Sequence, residues 1–381
     1  MICLIRGGRK ILIVLEKKII ILVVLVCAII FGVVINQFNS TSEPVVQDQN
    51  EKDVLMDEVK KIFKLRNQAL LEQNKTMLAN LYKQEVRTGR WAYQYELKKM
   101  KYLEQWSAKQ GVRLQKIESD LKIRNKKEEE NSLIVSLLVA TEYQYSYSDS
   151  PVSNDKFRIG TYHSLKLEPQ DDNLVIVREW YQDPLADSMQ LDKKEQKKAE
   201  EIIEEEFNDL ENLNKKRTQV VDYADKYCGA ASLAKYSFQY NSGYKNYNYL
   251  GGDCANFASQ MLYEAGGLSK NNVWNYNGGS ATRAWVNASA FNQHFVHSSR
   301  ASKIAYGSYS EVLKDSYKLL PGDYIAYQKK GEVEHISVVT GIDSEGYRLV
   351  NCHNSDRYRV PWDIGWSSKE VKFWLVRVHY N

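Results

Sequence analysis

The chain has 381 residues, 43% hydrophobic and 26% charged, and a net charge of +4. That length suggests two or three domains with enough apolar residues to build cores. The charge is small and dispersed, with no basic stripe interleaved with aromatics, so no nucleic-acid partner is expected. Five cysteines, Cys3, Cys27, Cys228, Cys254 and Cys352, show no CxxC spacing. A disulfide scaffold and a zinc cluster are therefore not expected, and neither metal nor cofactor is implied.

Residues 19–35 read IIILVVLVCAIIFGVVI, an uncharged apolar run near the lower limit for spanning a bilayer. Arg6, Arg9, Lys10, Lys17 and Lys18 precede it, and almost no positive charge follows closely. The positive-inside rule then predicts a cytoplasmic tail over 1–18, a single membrane helix over 19–36 and an extracytoplasmic remainder. No small-residue cleavage site follows the run, so it reads as a retained anchor in the cell membrane. Apolar residues also continue well past Cys27, against a lipid-modified cysteine.

A polar, acidic linker occupies 37–52. Val54, Val59, Ile62, Phe63, Leu65 and Leu70 keep a helical period, continued by Met77, Leu78, Leu81 and Tyr82. A third helix is predicted from about Trp91 to Lys109, ended by Gly111. The period then changes to strands at 133–145, 158–167 and 174–180, separated by turn clusters. Helices followed by a meander define an α+β domain over 53–185. Its outline resembles the cone-shaped fold of the nuclear-transport-factor and scytalone-dehydratase type. His163, Tyr143, Tyr145, Trp180 and Tyr181 read there as core and surface. A charged stretch over 186–216 reads as a solvated connecting helix. At 217 the composition shifts to Tyr, Asn, Gly and Trp, and the last domain, 217–381, begins.

In that domain GGDCANFASQML places Cys254, Phe257, Ala258, Met261, Leu262 and Ala265 on one helix face, which Gly266 and Gly267 end. Asp253 is a suitable N-cap. Cys254 then lies in the first turn, where the positive helix end favours a thiolate and the free amides could hold an oxyanion. Gly251 and Gly252 allow close approach of a substrate backbone.

Further on, LPGDYIAY reads as a turn entering a strand, and EHISVVT follows as a second strand with His335 at its start. A cysteine opening a helix and a histidine opening a later strand form a papain-type pair, in which imidazole takes the thiol proton and later protonates the leaving amine. A third group should orient the ring. With a turn at 343–346, Ile342 faces Tyr347 and Asn354 falls opposite His335; one residue fewer puts His353 there. Asn351 and Asp356 are weaker candidates. Five tryptophans follow residue 270, most of them expected in packing and some at a cleft. His294 and His297 are helically spaced but read as surface residues.

GGDCANFASQML, PGDYIAY, EHISVVTG and the Cys352-His353-Asn354 stretch resemble the bacterial putative amidase domain, akin to the CHAP and NlpC-type cell-wall amidases of the papain-like superfamily. The resemblance covers about 217–381. It implies a papain-like α+β hydrolase with a Cys254–His335 dyad and a third polar residue at His353 or Asn354. Asn354 stands where family members often carry Thr. Asn248, six positions before Cys254, falls where papain-like enzymes often carry an oxyanion side chain. The implied activity is amide hydrolysis in peptidoglycan peptides or another extracellular amide substrate. A transglutaminase-like acyl transferase using Asp356, and an inert wall-binding module, are the competing readings.

Overall fold

A computed structural model describes residues 49–171, 173–186 and 213–380. The chain divides into two compact units, Met1–Asp57 and Glu58–Asn381. Of the first, only the opening of one helix is described. The predicted membrane span at 19–36 lies outside the described residues, as does most of the charged connection. Among the described residues no helix is long and apolar enough to cross a membrane.

Three helices come first: α1 (Gln49–Leu71), α2 (Lys75–Ala79) and α3 (Arg87–Gln110). Asn74 caps α2 by accepting the Met77 N–H, and α3 ends at Gly111 with φ +66°, as its position just past the last helical turn predicts. A meander follows: β1 (Val112–Glu129), β2 (Ser132–Tyr147), β3 (Asp155–Gln170) and β4 (Asn173–Trp180). The sequence reading misses β1. Its charged residues conceal it, and register shifts at Leu114/Lys116 and Ile123/Asn125 reset its alternation.

The remainder starts with α4 (Lys215–Tyr227) and α5 (Cys254–Glu264). A small hairpin, β5 (Tyr276–Asn277) and β6 (Ser280–Ala281), precedes α6 (Arg283–Val286) and α7 (Ala288–His297). Next come β7 (Ala301–Gly307) and α8 (Tyr309–Ser316), which opens on a Ser308–Glu311 capping box. The chain closes with β8 (Tyr324–Lys329), β9 (Glu332–Ile342), β10 (Arg348–Cys352), β11 (Asp356–Pro361) and β12 (Lys372–Val378).

One antiparallel sheet of ten strands dominates this mixed α/β architecture, in the order β1-β2-β3-β11-β10-β9-β8-β12-β7, with β4 also on β3. The join is β3 with β11, where Gly160, Ile159 and Arg158 pair with Asp356, Arg357 and Tyr358. The sheet thus runs unbroken across the two parts that the sequence separates at 186–216. Gly160 is required there, because a Cβ would lie 2.4 Å from the backbone of Ala230. Strand alternation sends side chains to two apolar cores. Ala326, Ile336 and Val338 pack with α4, α5 and α7, while Ile325, Tyr327, Val339 and Trp362 pack with α8.

Polar contacts also cross the join. The Tyr145 and Tyr147 hydroxyls donate to Asp343 at 2.9 and 2.7 Å. Lys109 at the end of α3 pairs with buried Asp363 at 3.0 Å.

Candidate functional site

The approach to α5 is backbone-determined. Gly251 and Gly252 have φ of +103° and +130°, and a Cβ on Gly252 would fall 2.4 Å from Asn354 Nδ2. Asp253 takes the N-cap position but does not cap the helix with its side chain. Its Oδ1 accepts from Tyr247 N–H at 2.8 Å and Asn256 Nδ2 at 2.7 Å, and its Oδ2 meets His353 Nδ1 at 2.5 Å. The carboxylate therefore braces the turn before Cys254.

His353 is spent on the same brace. Its Nε2 donates to Tyr227 O at 2.7 Å, and its ring stacks on Phe257 with centroids 4.2 Å apart. Burial alone would lower its pKa, but the Asp253 carboxylate, joined by Asp356 and the Tyr227 carbonyl, outweighs it and the net shift is upward. With acceptors at both nitrogens, the ring is held as imidazolium.

Cys254 is 5% exposed. Burial pushes its thiol up to about 12, although backbone hydrogen bonds from Ile336 and Ala255 pull the other way. The low-pKa thiolate expected from the helix end is thus corrected: in this resting arrangement desolvation outweighs that end.

His335 is the fourth residue of β9, one before the residue that touches the Cys254 sulfur. Its ring lies on the other face of the strand, stacked on Trp366 at 5.2 Å and 5.5 Å from Tyr327. Its Nε2 is buried without a partner. Burial, helped by the Arg357 charge, lowers its pKa well below the usual histidine value, so the ring is a neutral base. No hydrogen bond joins it to Cys254.

Neither expected orienter reaches His335. Asn354 accepts the Asp253 N–H at 2.6 Å, and together with Ser355 it forms a turn at φ +67° and +59°. Ile342 pairs with Arg348 rather than Tyr347, but a shift between Leu349 and Val350 restores the expected register, ending at Asn351 opposite Val338. Asp356 accepts from Ala230 N–H at 2.7 Å and from the Tyr240 hydroxyl, which accounts for that candidate as well. Asn351 bonds Thr340 and Asp225.

Two cavities flank the Asn354–Ser355 turn. One, of about 370 Å³, is lined by Asn248, Gly251, Gly252, Tyr162, Trp180 and Tyr249. Asn248 sits there with its side-chain Oδ1 buried and unpartnered, so its amide is uncommitted. The other, of about 400 Å³, holds His335, Arg357 and Trp366 against Tyr95, Asp183 and Pro184. Gln182, Asn354 and Ser355 border both.

Sequence reasoning misses Arg357 and the wall supplied by Tyr95 and residues 182–184. An arginine in a short strand between Asp356 and Tyr358 carries no motif, and the β3–β11 pairing that assembles the wall leaves no local signal. Of the five tryptophans after residue 270, Trp366 lines a cavity. Trp274, Trp285 and Trp362 are buried packing residues. Among the described residues no cluster of three or more His, Cys, Asp or Glu could hold a metal.

Comparison with known proteins agrees with the motifs. Residues 214–376 match the family model described as "Putative amidase domain". At family level this match supports an amidase-type hydrolase over that stretch. A search of curated proteins finds no match. Among solved structures, the crystal structure of the intermembrane space region of chloroplast protein ARC6 is similar at 12% identity and a TM-score of 0.23, over 35% of this chain and 96% of that one.

Proposed function

We propose that residues 214–380 act as a cysteine amidase with Cys254 as nucleophile and His335 as its acid–base partner. One observation carries the reading. The Cys254 sulfur lies in the first turn of α5, beside the backbone of Ile336, and the adjacent His335 lines a cleft and keeps a buried, unpartnered nitrogen.

In this scheme β9 slips at the irregularity beside His335, so that the ring leaves Trp366 for the Cys254 face and takes the Cys254 proton as sulfur attacks the amide carbon. Catalytic hydrogen bonds absent from a resting site commonly form only with substrate in place. The oxyanion is held by the first amides of α5 and the Asn248 side chain. His335 then gives its proton to the departing amine, and water attacks the thioester to release the acid and free Cys254. His353 and Asp253 hold the turn that carries Cys254.

The substrate class proposed is the peptide of the cell wall. The apolar run at 19–36, with basic residues before it, supports placing the enzyme on the outer side of the cell membrane. The test is hydrolysis of defined wall peptides by the parent, Cys254→Ala and His335→Ala. Loss of at least about 10³-fold in kcat for both is expected, since paired groups fail together. Undiminished turnover by Cys254→Ala would refute the mechanism, and incorporation of an added amine would reassign the reaction to acyl transfer.

A further inference from the structure

The cavity beside His335 contains a cation without a counter-ion among the described residues. Arg357 on β11 is 2% exposed, and among the described residues no carboxylate pairs with it. Its Nη1 donates to Ile364 O at 2.8 Å, Nε is buried and unpartnered, and Nη2 finds no hydrogen-bond partner among the described residues. Those two nitrogens form one edge of the guanidinium, with parallel N–H groups spaced to grip both oxygens of a carboxylate. Burying a guanidinium with that edge unsatisfied is costly, and an anion would remove the cost.

The neighbouring acids do not supply it. Asp183 on the facing wall is committed to Lys99 at 2.6 Å, and Glu334 is exposed at the rim. His335 is neutral. Arg357 thus shares with His335 a cavity of about 400 Å³ that could hold one or two amino-acid residues.

We propose that Arg357 binds a carboxylate of the substrate, so that the enzyme selects amides with a free carboxylate within about one residue of the scissile bond. This rests on the amidase reading for the position of that bond. Tyr95, Gln182 and Pro184 of the first α+β part close the subsite on its other side. The carboxylate is either a peptide C-terminus or an acidic side chain.

The experiment uses the full chain in detergent and matched peptides: one with a free C-terminus, its C-terminal amide, and internal Glu and Gln versions of the same sequence. Binding is measured calorimetrically to the Cys254→Ala protein, where no turnover occurs, and kcat/KM is measured with the parent. The carboxylate member of one pair should bind about 10- to 100-fold more tightly, the range for hydrogen bonds to a charged group. Arg357→Gln in the Cys254→Ala background should level that pair. Arg357→Lys should restore the preference only in part, because a point charge lacks the fork. Preference within the terminal pair identifies a peptide end, and within the Glu/Gln pair an acidic side chain. Equal binding of both members in both pairs, including none, overturns the proposal without any variant having to fold. Carboxylate-selective binding with no parent turnover would keep the subsite and sink the amidase reading.

Discussion

Replacing Lys109 by Met tests whether the two α+β parts are one folding unit. Lys109 and Asp363 are 5% and 0% exposed at the side chain, and their atoms lie 3.0 Å apart. The ammonium also sits 3.2 Å from the centroid of the Tyr309 ring. Removing one member of a buried pair costs about 3–5 kcal/mol, because the other charge stays buried. Losing the ring contact adds about 1 kcal/mol or more. Against this, Asp363 keeps the Tyr347 hydroxyl at 2.9 Å, with Trp106 and Gln110 donors at a long 3.4 Å. One good neutral donor offsets about 1 kcal/mol, so a net loss of about 3–5 kcal/mol is expected. At about 2 °C per kcal/mol for a unit this large, Tm should fall by about 6–10 °C. Urea unfolding of residues 40–381, followed by far-ultraviolet dichroism and tryptophan fluorescence, reads the loss directly. The two probes should report one transition, shifted as a whole. Lys83→Met, which breaks the half-exposed pair with Glu168 at 2.8 Å, should cost below about 1 kcal/mol. Equal losses for the two variants, or separate transitions in the parent, would refute the reasoning.

Three further outcomes are expected. Cys228→Ala should leave turnover near the parent value while Cys254→Ala abolishes it, since Cys228 is buried and directs its thiol to Asp225 O at 3.4 Å; parallel loss in both would mean that packing, not chemistry, is being read. His353→Gln should lower kcat by about 10-fold or more through the Asp253 brace, yet leave the pH profile set by His335 in place; a shifted profile would make His353 an acid–base group. Asp343 is raised to about 6 by burial, against the hydrogen bonds of Tyr147 and Tyr145, so its contribution to stability is whole below about pH 4 and is lost as pH rises through 6. The stability of the parent relative to Asp343→Asn should therefore fall by about 3 kcal/mol between pH 3 and 8, and a flat difference in urea midpoints would contradict the shift.

The helix face that begins at Cys254 is legible because its period is local and two glycines mark its end. The hairpin of β8 and β9 is legible too, since Lys330 and Gly331 take φ of +48° and +88° in a two-residue turn. What the sequence does not carry is the face each side chain takes. A register shift between Tyr327 and Gln328 fixes where His335 points, and nothing in EHISVVT announces it. The partnership of His353 with Asp253 joins residues 100 positions apart, so it becomes visible only when β10 and α5 are packed. The same holds for Gly160, whose missing side chain lets β3 accept β11 beneath Ala230.

The resting chemistry of Cys254 follows from a comparison of magnitudes. A helix end contributes about 0.3–1 kcal/mol, and about 2 kcal/mol when partly buried, which is at most about 1.5 pKa units. The thiol is pushed up from 9 to about 12 even with two backbone hydrogen bonds in its favour, so desolvation is the larger effect. A preformed thiolate–imidazolium pair is therefore not the ground state. His335 is held neutral for the same reason, which leaves it a weak base until its ring reaches the sulfur and its surroundings change. A substrate carboxylate on Arg357 would then act twice, by placing the amide and by cancelling the positive charge that disfavours protonation of His335. Nucleophile activation would in this way depend on the substrate carrying the anion, and a peptide lacking it should lose kcat as well as affinity.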